Sequence, residues 1–196
     1  DANANMYANI GGEFSGWNVN ILYMTKSGPV ADATGDSDNA AMGIDISGAL
    51  MGASLSASFN TDHSGDEMRM VSLGYSVNDD LSVNVGQTAY SKDNEGDFRM
   101  AGTNMDGSWM TTGNLGYLTS GMEDLHYGLS YNLGGISLSA TMHNITDATE
   151  GNDEYERSVM HLGLGYSLSN NANLGLSYAT DDEGTEGSEA NYTWLT

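Results

Sequence analysis

Cysteine is absent from this chain of 196 residues, which excludes a disulfide framework, a thiolate metal centre and a thiol nucleophile. Proline occurs once, so nearly every backbone N–H remains available to a sheet ladder. Lys and Arg number 5 against 27 Asp and Glu, a formal net charge of −22, and so acidic a chain is a poor partner for the phosphates of nucleic acid. Long apolar runs are missing too: nothing approaches the roughly 18–20 consecutive apolar residues that a membrane helix needs. The first residues, Asp1-Ala-Asn-Ala-Asn5, contain neither a basic nor an apolar segment, so any signal peptide is expected to have been removed or to lie further upstream.

What is there is glycine, 26 residues of it, and alternation. Glycine weakens helices, and the period-2 pattern of Ile136-Ser-Leu-Ser-Ala-Thr-Met142 and Leu162-Gly-Leu-Gly-Tyr-Ser-Leu168 puts apolar and small polar residues on opposite faces of a strand. Similar segments run over residues 17–25, 42–49, 54–61, 71–77, 81–90, 127–133, 173–180 and 190–195, with weaker ones at 7–14 and within 98–118. The chain reads as all-β, with about 12 or 13 strands in a single domain over residues 1–196. A mean hydropathy of −0.37 does not exclude a membrane protein, because a barrel strand follows each lipid-facing residue with a polar one.

The connections alternate between two kinds. Short ones are Phe14-Ser-Gly-Trp17, Ser76–Asp80, Asn132-Leu-Gly-Gly135 and Ser167–Ala172; longer acidic ones are Lys26–Ala40, Asp62–Glu67, Ser91–Asp97, Ser120–Asp124, Asn144–Glu156 and Asp181–Glu189. Outer-membrane barrels have short periplasmic turns and longer external loops. Aromatic residues fit the same architecture. Tyr75, Tyr131 and Tyr166 each precede a short turn in the phase of the apolar face, and Trp17, Tyr23, Phe59, Tyr178 and Trp194 are assigned to that face as well. Trp17, Tyr75, Tyr131, Tyr166, Tyr178 and Trp194 are the candidate interfacial girdle.

The hairpins Tyr75-Ser-Val-Asn-Asp-Asp-Leu-Ser-Val83, Tyr131-Asn-Leu-Gly-Gly-Ile-Ser-Leu-Ser-Ala140 and Tyr166–Tyr178 resemble those of Gram-negative general porins, especially alphaproteobacterial ones. The resemblance implies an antiparallel, up-and-down transmembrane β-barrel of about 12–16 strands and assembly as a homotrimer. It also implies passive diffusion of ions and small hydrophilic solutes through the outer membrane, amid lipid and lipopolysaccharide. The chain departs from the family pattern in being shorter and in ending Trp194-Leu195-Thr196 rather than on a terminal Phe. Its first strand enters a short turn and its last follows a long connection, whereas a complete barrel has an even strand number with both termini in the periplasm. Either the segment at 7–14 is not a strand, or the strands within 98–118 are miscounted, or the chain is the C-terminal part of a longer porin, and the last is the favoured expectation.

Residues out of phase with the apolar face should line the channel: Lys26, Asp45, His126, His143, Arg157 and His161, with Lys92 at the edge of this set. Opposed charges on such a wall orient solutes, and the acidic excess predicts cation preference. The four His, at 63, 126, 143 and 161, have none of the paired spacings used for zinc, and no enzymatic constellation stands out. No cofactor is required. Asp93, Glu95 and Asp97, Glu150 and Asp153, and Asp181, Asp182 and Glu183 are candidate calcium ligands, although none fits an EF-hand loop. A secreted all-β surface or adhesive protein with calcium in its acidic loops is the alternative. It requires the apolar faces to pack together rather than face lipid.

Overall fold

The computed structural model describes residues 6–25, 40–62, 65–91, 121–147, 155–169, 172–183 and 189–195. Among these, eleven strands form one antiparallel sheet in chain order: β1 (Tyr7–Phe14), β2 (Trp17–Met24), β3 (Ala41–Leu50), β4 (Ala53–Thr61), β5 (Glu67–Ser76), β6 (Leu81–Tyr90), β7 (Met122–Leu133), β8 (Ile136–Asp147), β9 (Glu156–Ser169), β10 (Ala172–Asp182) and β11 (Ala190–Leu195). Each strand pairs with its sequence neighbours, and among the described residues β1 and β11 form the two edges of the sheet. The weak segment at 7–14 is a full strand, paired with β2 from Tyr7↔Met24 to Phe14↔Trp17. The segment within 98–118 lies outside the described residues.

Tight turns fix the registers. Ser15 and Gly16 have φ of 51° and 80°, Met51 and Gly52 of 51° and 85°, and Gly134 and Gly135 of 54° and 93°. Positive φ at both central positions belongs to the type I′ turn, whose twist matches that of the flanking strands. Met51-Gly52 adds a short turn to those read from sequence; Met is an unusual first residue there, because a side chain in the left-handed region costs energy. At the other end of the sheet the strand ends are Met24 and Ala41, Thr61 and Glu67, Tyr90 and Met122, Asp147 and Glu156, and Asp182 and Ala190, separated by longer stretches of sequence. The sorting of connections by length is therefore a property of the fold.

The two faces are chemically opposite. Ile44, Leu73, Leu129 and Leu164 project from one face, each a little over 40% exposed, and their cross-strand partners on that face include Ile21, Val85, Val83 and Leu176 respectively. An apolar surface of this extent needs a lipid or protein neighbour, and no second sheet covers it among the described residues. This is the reverse of a sandwich, whose apolar faces enclose the core. The other face carries Asn, Ser, Gly, His and Asp. It is the inner face of the wall, and its burial is graded along the strands. On β8, Asp147, Ile145 and His143 are buried, Thr141 is intermediate, and Ser139 and Ser137 are exposed; on β4, Asn60 and Ser58 are buried, Ser56 intermediate and Ser54 exposed. The inner face is thus covered toward the long connections and open toward the short turns.

Candidate functional site

The inner face owes its layout to period 2 and to the tight turns. Counting back along β7 and forward along β8 from Gly134 and Gly135 brings His126 opposite His143. The β8–β9 register then sets His143 against Val159 and Thr141 against His161. The imidazoles consequently run side by side across three strands, with ring centroids 5.4 Å apart for His126 and His143 and 5.9 Å for His143 and His161. Below them on the same face, Asp124 is fully buried, and its Oδ2 accepts from Nδ1 of His143 at 2.8 Å and from Nδ1 of His126 at 3.1 Å.

Arg157, further along β9 on the same face, donates from Nε to Asp181 Oδ1 at 2.7 Å and from Nη2 to Asp181 Oδ2 at 2.6 Å. This fork geometry is the strong form of a carboxylate contact, and both side chains are about nine-tenths buried. Across the sheet, Asp45 accepts from the Ser58 hydroxyl at 2.5 Å and from Asn20 Nδ2 at 3.3 Å, and Asn60 Nδ2 donates to Ser58 at 2.7 Å. Asp45, His126, His143, Arg157 and His161 therefore share the inner face, as their phase requires. Lys26 and Lys92 lie outside the described residues.

An apolar patch also belongs to this face. Leu22, Ala41, Met68, Tyr90, Ile145, Val159 and Ala179 are buried and form one cluster, set among the polar groups toward the long connections. In Ile21-Leu22-Tyr23-Met24 both phases are apolar, so hydropathy alone does not assign the inward side of that stretch.

Of the girdle aromatics, Trp17, Tyr75, Tyr131, Tyr166 and Tyr178 project from the apolar face, in layers with Phe14, Val83, Leu81, Leu174 and Leu162 respectively. Trp194 does not. It pairs with Ser177, an inner-face residue, and stacks on Tyr192 at 5.8 Å between ring centroids. In Ala190-Asn-Tyr-Thr-Trp-Leu195 the aromatic phase was assigned to lipid, but the β10–β11 register turns it inward and leaves Leu195, 73% exposed, on the outside.

The candidate calcium ligands Asp181, Asp182 and Glu183 do not converge. Consecutive strand residues point to opposite faces: Asp181 turns inward to Arg157, while Asp182 pairs with Ser158 on the outer side. Asp93, Glu95, Asp97, Glu150 and Asp153 lie outside the described residues. Among the described residues, the cluster that could hold a metal is Asp124, His126 and His143, whose donor atoms lie within 4.8 Å of one another. Sequence spacing did not reveal it, because two of its members face each other across a hairpin; the Gly134-Gly135 turn is the signal that would have found it.

A two-faced antiparallel meander, apolar outside and polar inside, with short turns at one end, is the wall of an outer-membrane β-barrel. The family model for Gram-negative porins matches residues 1–196, and the chain belongs to that family. Membership places it in the outer membrane of a Gram-negative bacterium, with the fold of a channel rather than of an enzyme. No curated protein matches it by sequence. Among solved structures, a mutant of Rh. blastica porin is similar at 15% identity and a TM-score of 0.59, covering 94% of this chain and 52% of that one. Pseudomonas aeruginosa OccK11 (OpdR) is similar at 15% identity and a TM-score of 0.65, covering 97% and 56%. The NanC porin is similar at 10% identity and a TM-score of 0.50, covering 97% and 90%. The chain thus spans about half the length of the first two, and at these identities the likeness is one of fold.

Proposed function

We propose that this chain forms the wall of a passive, water-filled channel for ions and small hydrophilic solutes, with a preference for cations. The observation that carries the reading is the division of faces: an outer face of large apolar side chains, and an inner face of Ser, Asn, Gly, His and Asp around one apolar cluster near the long connections. The charge balance supports the ion preference. Among the described residues, Glu13, Asp45, Asp124, Asp147 and Asp181 have inward phase, and Arg157 is the inward Lys or Arg, already bonded to Asp181. A wall with surplus negative charge concentrates counter-ions and favours their passage.

Small side chains keep the wall thin. Gly163 lies against the Ser139 hydroxyl, Gly165 against that of Ser137 and Gly128 against the Asn84 amide, where an added Cβ would push the neighbouring side-chain tip aside. Assembly as a homotrimer follows from the family resemblance, with part of the apolar face covered by neighbouring subunits and the rest by lipid. Arg69 has outward phase two residues from the start of β5, and its charge supports a contact with lipopolysaccharide phosphates. The test is insertion of the detergent-purified chain into planar bilayers under a salt gradient. Stepwise, ohmic conductance with a reversal potential of the sign for cation selectivity is the outcome this reading requires. Anion-selective steps would reverse the ion preference, and an absence of steps would contradict the channel.

A further inference from the structure

Strands β7 and β8 gather three metal-competent side chains at one point of the inner face. Asp124 and His126 are two residues apart on β7 and so share a face, and His143 is the cross-strand partner of His126. All three residues are buried. One carboxylate oxygen, Asp124 Oδ2, lies 2.8 Å from Nδ1 of His143 and 3.1 Å from Nδ1 of His126.

We infer that Asp124, His126 and His143 form a binding site for a divalent transition-metal ion, of which Zn2+, Ni2+ and Cu2+ are the chemical type. Imidazole nitrogens with a carboxylate suit these ions, whereas Ca2+ and Mg2+ select sets made of oxygens. The spacing fits as well. Ligand atoms about 2.0–2.2 Å from a tetrahedral or octahedral ion stand roughly 3 Å from one another, which is the separation of the two nitrogens from the shared oxygen.

The same distances also suit hydrogen bonds without an ion, so further observations decide. Asp124 is fully buried and its Oδ1 has no hydrogen-bond partner. Among the described residues its partners are the two imidazoles, and no Lys or Arg pairs with it. Buried charges are paired or coordinate metals, and a divalent cation at this point would use the two imidazoles and occupy the carboxylate whose Oδ1 is unsatisfied. The neighbouring ring of His161 stands 5.9 Å from that of His143, close enough for a side-chain rotation to bring a further donor. Gly86 provides the seat: a Cβ there would lie 2.5 Å from His126 Nε2, so glycine is what lets this imidazole lie flat against the wall.

The test titrates the refolded full chain, in detergent and with excess Ca2+ present, with Zn2+. One Zn2+ per chain is expected to bind, with affinity at least about tenfold lower in Asp124→Asn and His143→Gln. Affinity should be unchanged in Asp182→Asn, which removes a carboxylate on the outer side at the end of β10. Cu2+ bound to the unaltered chain provides a readout independent of any variant's folding, and its electron paramagnetic resonance spectrum should carry hyperfine splitting from imidazole nitrogens. No Zn2+ binding, full competition by Ca2+, undiminished affinity in both substituted chains, or a copper spectrum without nitrogen splitting would overturn the inference. None of these readouts requires conductance, so a chain that binds Zn2+ but opens no channel retains the metal site and contradicts the channel reading.

Discussion

At the scale of single residues, the inner face is organised by a few polar contacts held under cover. Arg157 and Asp181 are the clearest pair, because removing the guanidinium leaves a carboxylate only 6% exposed with its charge uncompensated. Arg157→Gln is expected to destabilise the folded chain by roughly 3 kcal/mol, whereas the double replacement Arg157→Met with Asp181→Leu should recover most of that loss. Urea unfolding midpoints of the detergent-folded proteins check both, and equal stability of Arg157→Gln and the parent would show that the pair contributes nothing. Asp45, Arg157 and the three inner His were legible from phase alone. Asp124 was not, because phase identifies a face but not which residues across a hairpin meet on it. Trp194 was misread because an aromatic at the end of a short strand satisfies either phase until the neighbour's register is known.

At the scale of elements, the tight turns carry the information. Met51 adopts a φ of 51° ahead of Gly52, in a turn type that prefers Asn-Gly. Met51→Asn should therefore stabilise the β3–β4 hairpin by about 1 kcal/mol, read as a higher unfolding midpoint; no change or a loss would mean that the turn carries no strain. On the outer face, the Trp17 indole lies flat over Gly48, where an added Cβ would come within 2.6 Å of the ring. Gly48→Ala is expected to push Trp17 off the wall at a cost of about 1–3 kcal/mol, with an accompanying shift in tryptophan emission. An unchanged spectrum and midpoint would contradict the packing. Most strands were legible from alternation, and most short turns from Gly and Asn. The Met51-Gly52 turn escaped because its first residue lacks the usual chemistry, and the inward side of Ile21–Met24 because alternation fails there.

At the scale of the whole molecule, one physical inversion dominates the fold: apart from the inward apolar cluster around Leu22, Met68 and Val159, apolar side chains face outward and polar ones inward. In the proposed channel the outward side chains gain their burial from lipid, and the inward ones line the path of water and ions. Asp45→Asn, which removes an inward charge while keeping one oxygen that can accept from Ser58 or Asn20, should lower cation preference, seen as a smaller reversal potential under the same salt gradient. An unaltered reversal potential would place Asp45 outside the ion path. Because the chain contains no cysteine, the inversion can be tested residue by residue with single cysteine substitutions along β8, at Ser137, Leu138, Ser139, Ala140, Thr141 and Met142. With a fluorophore on each in lipid vesicles, positions 138, 140 and 142 should be quenched by a nitroxide in the acyl chains, and 137, 139 and 141 by a water-soluble quencher. Loss of that alternation, or water access at 138, 140 and 142 with none at their neighbours, would contradict a lipid-facing apolar wall.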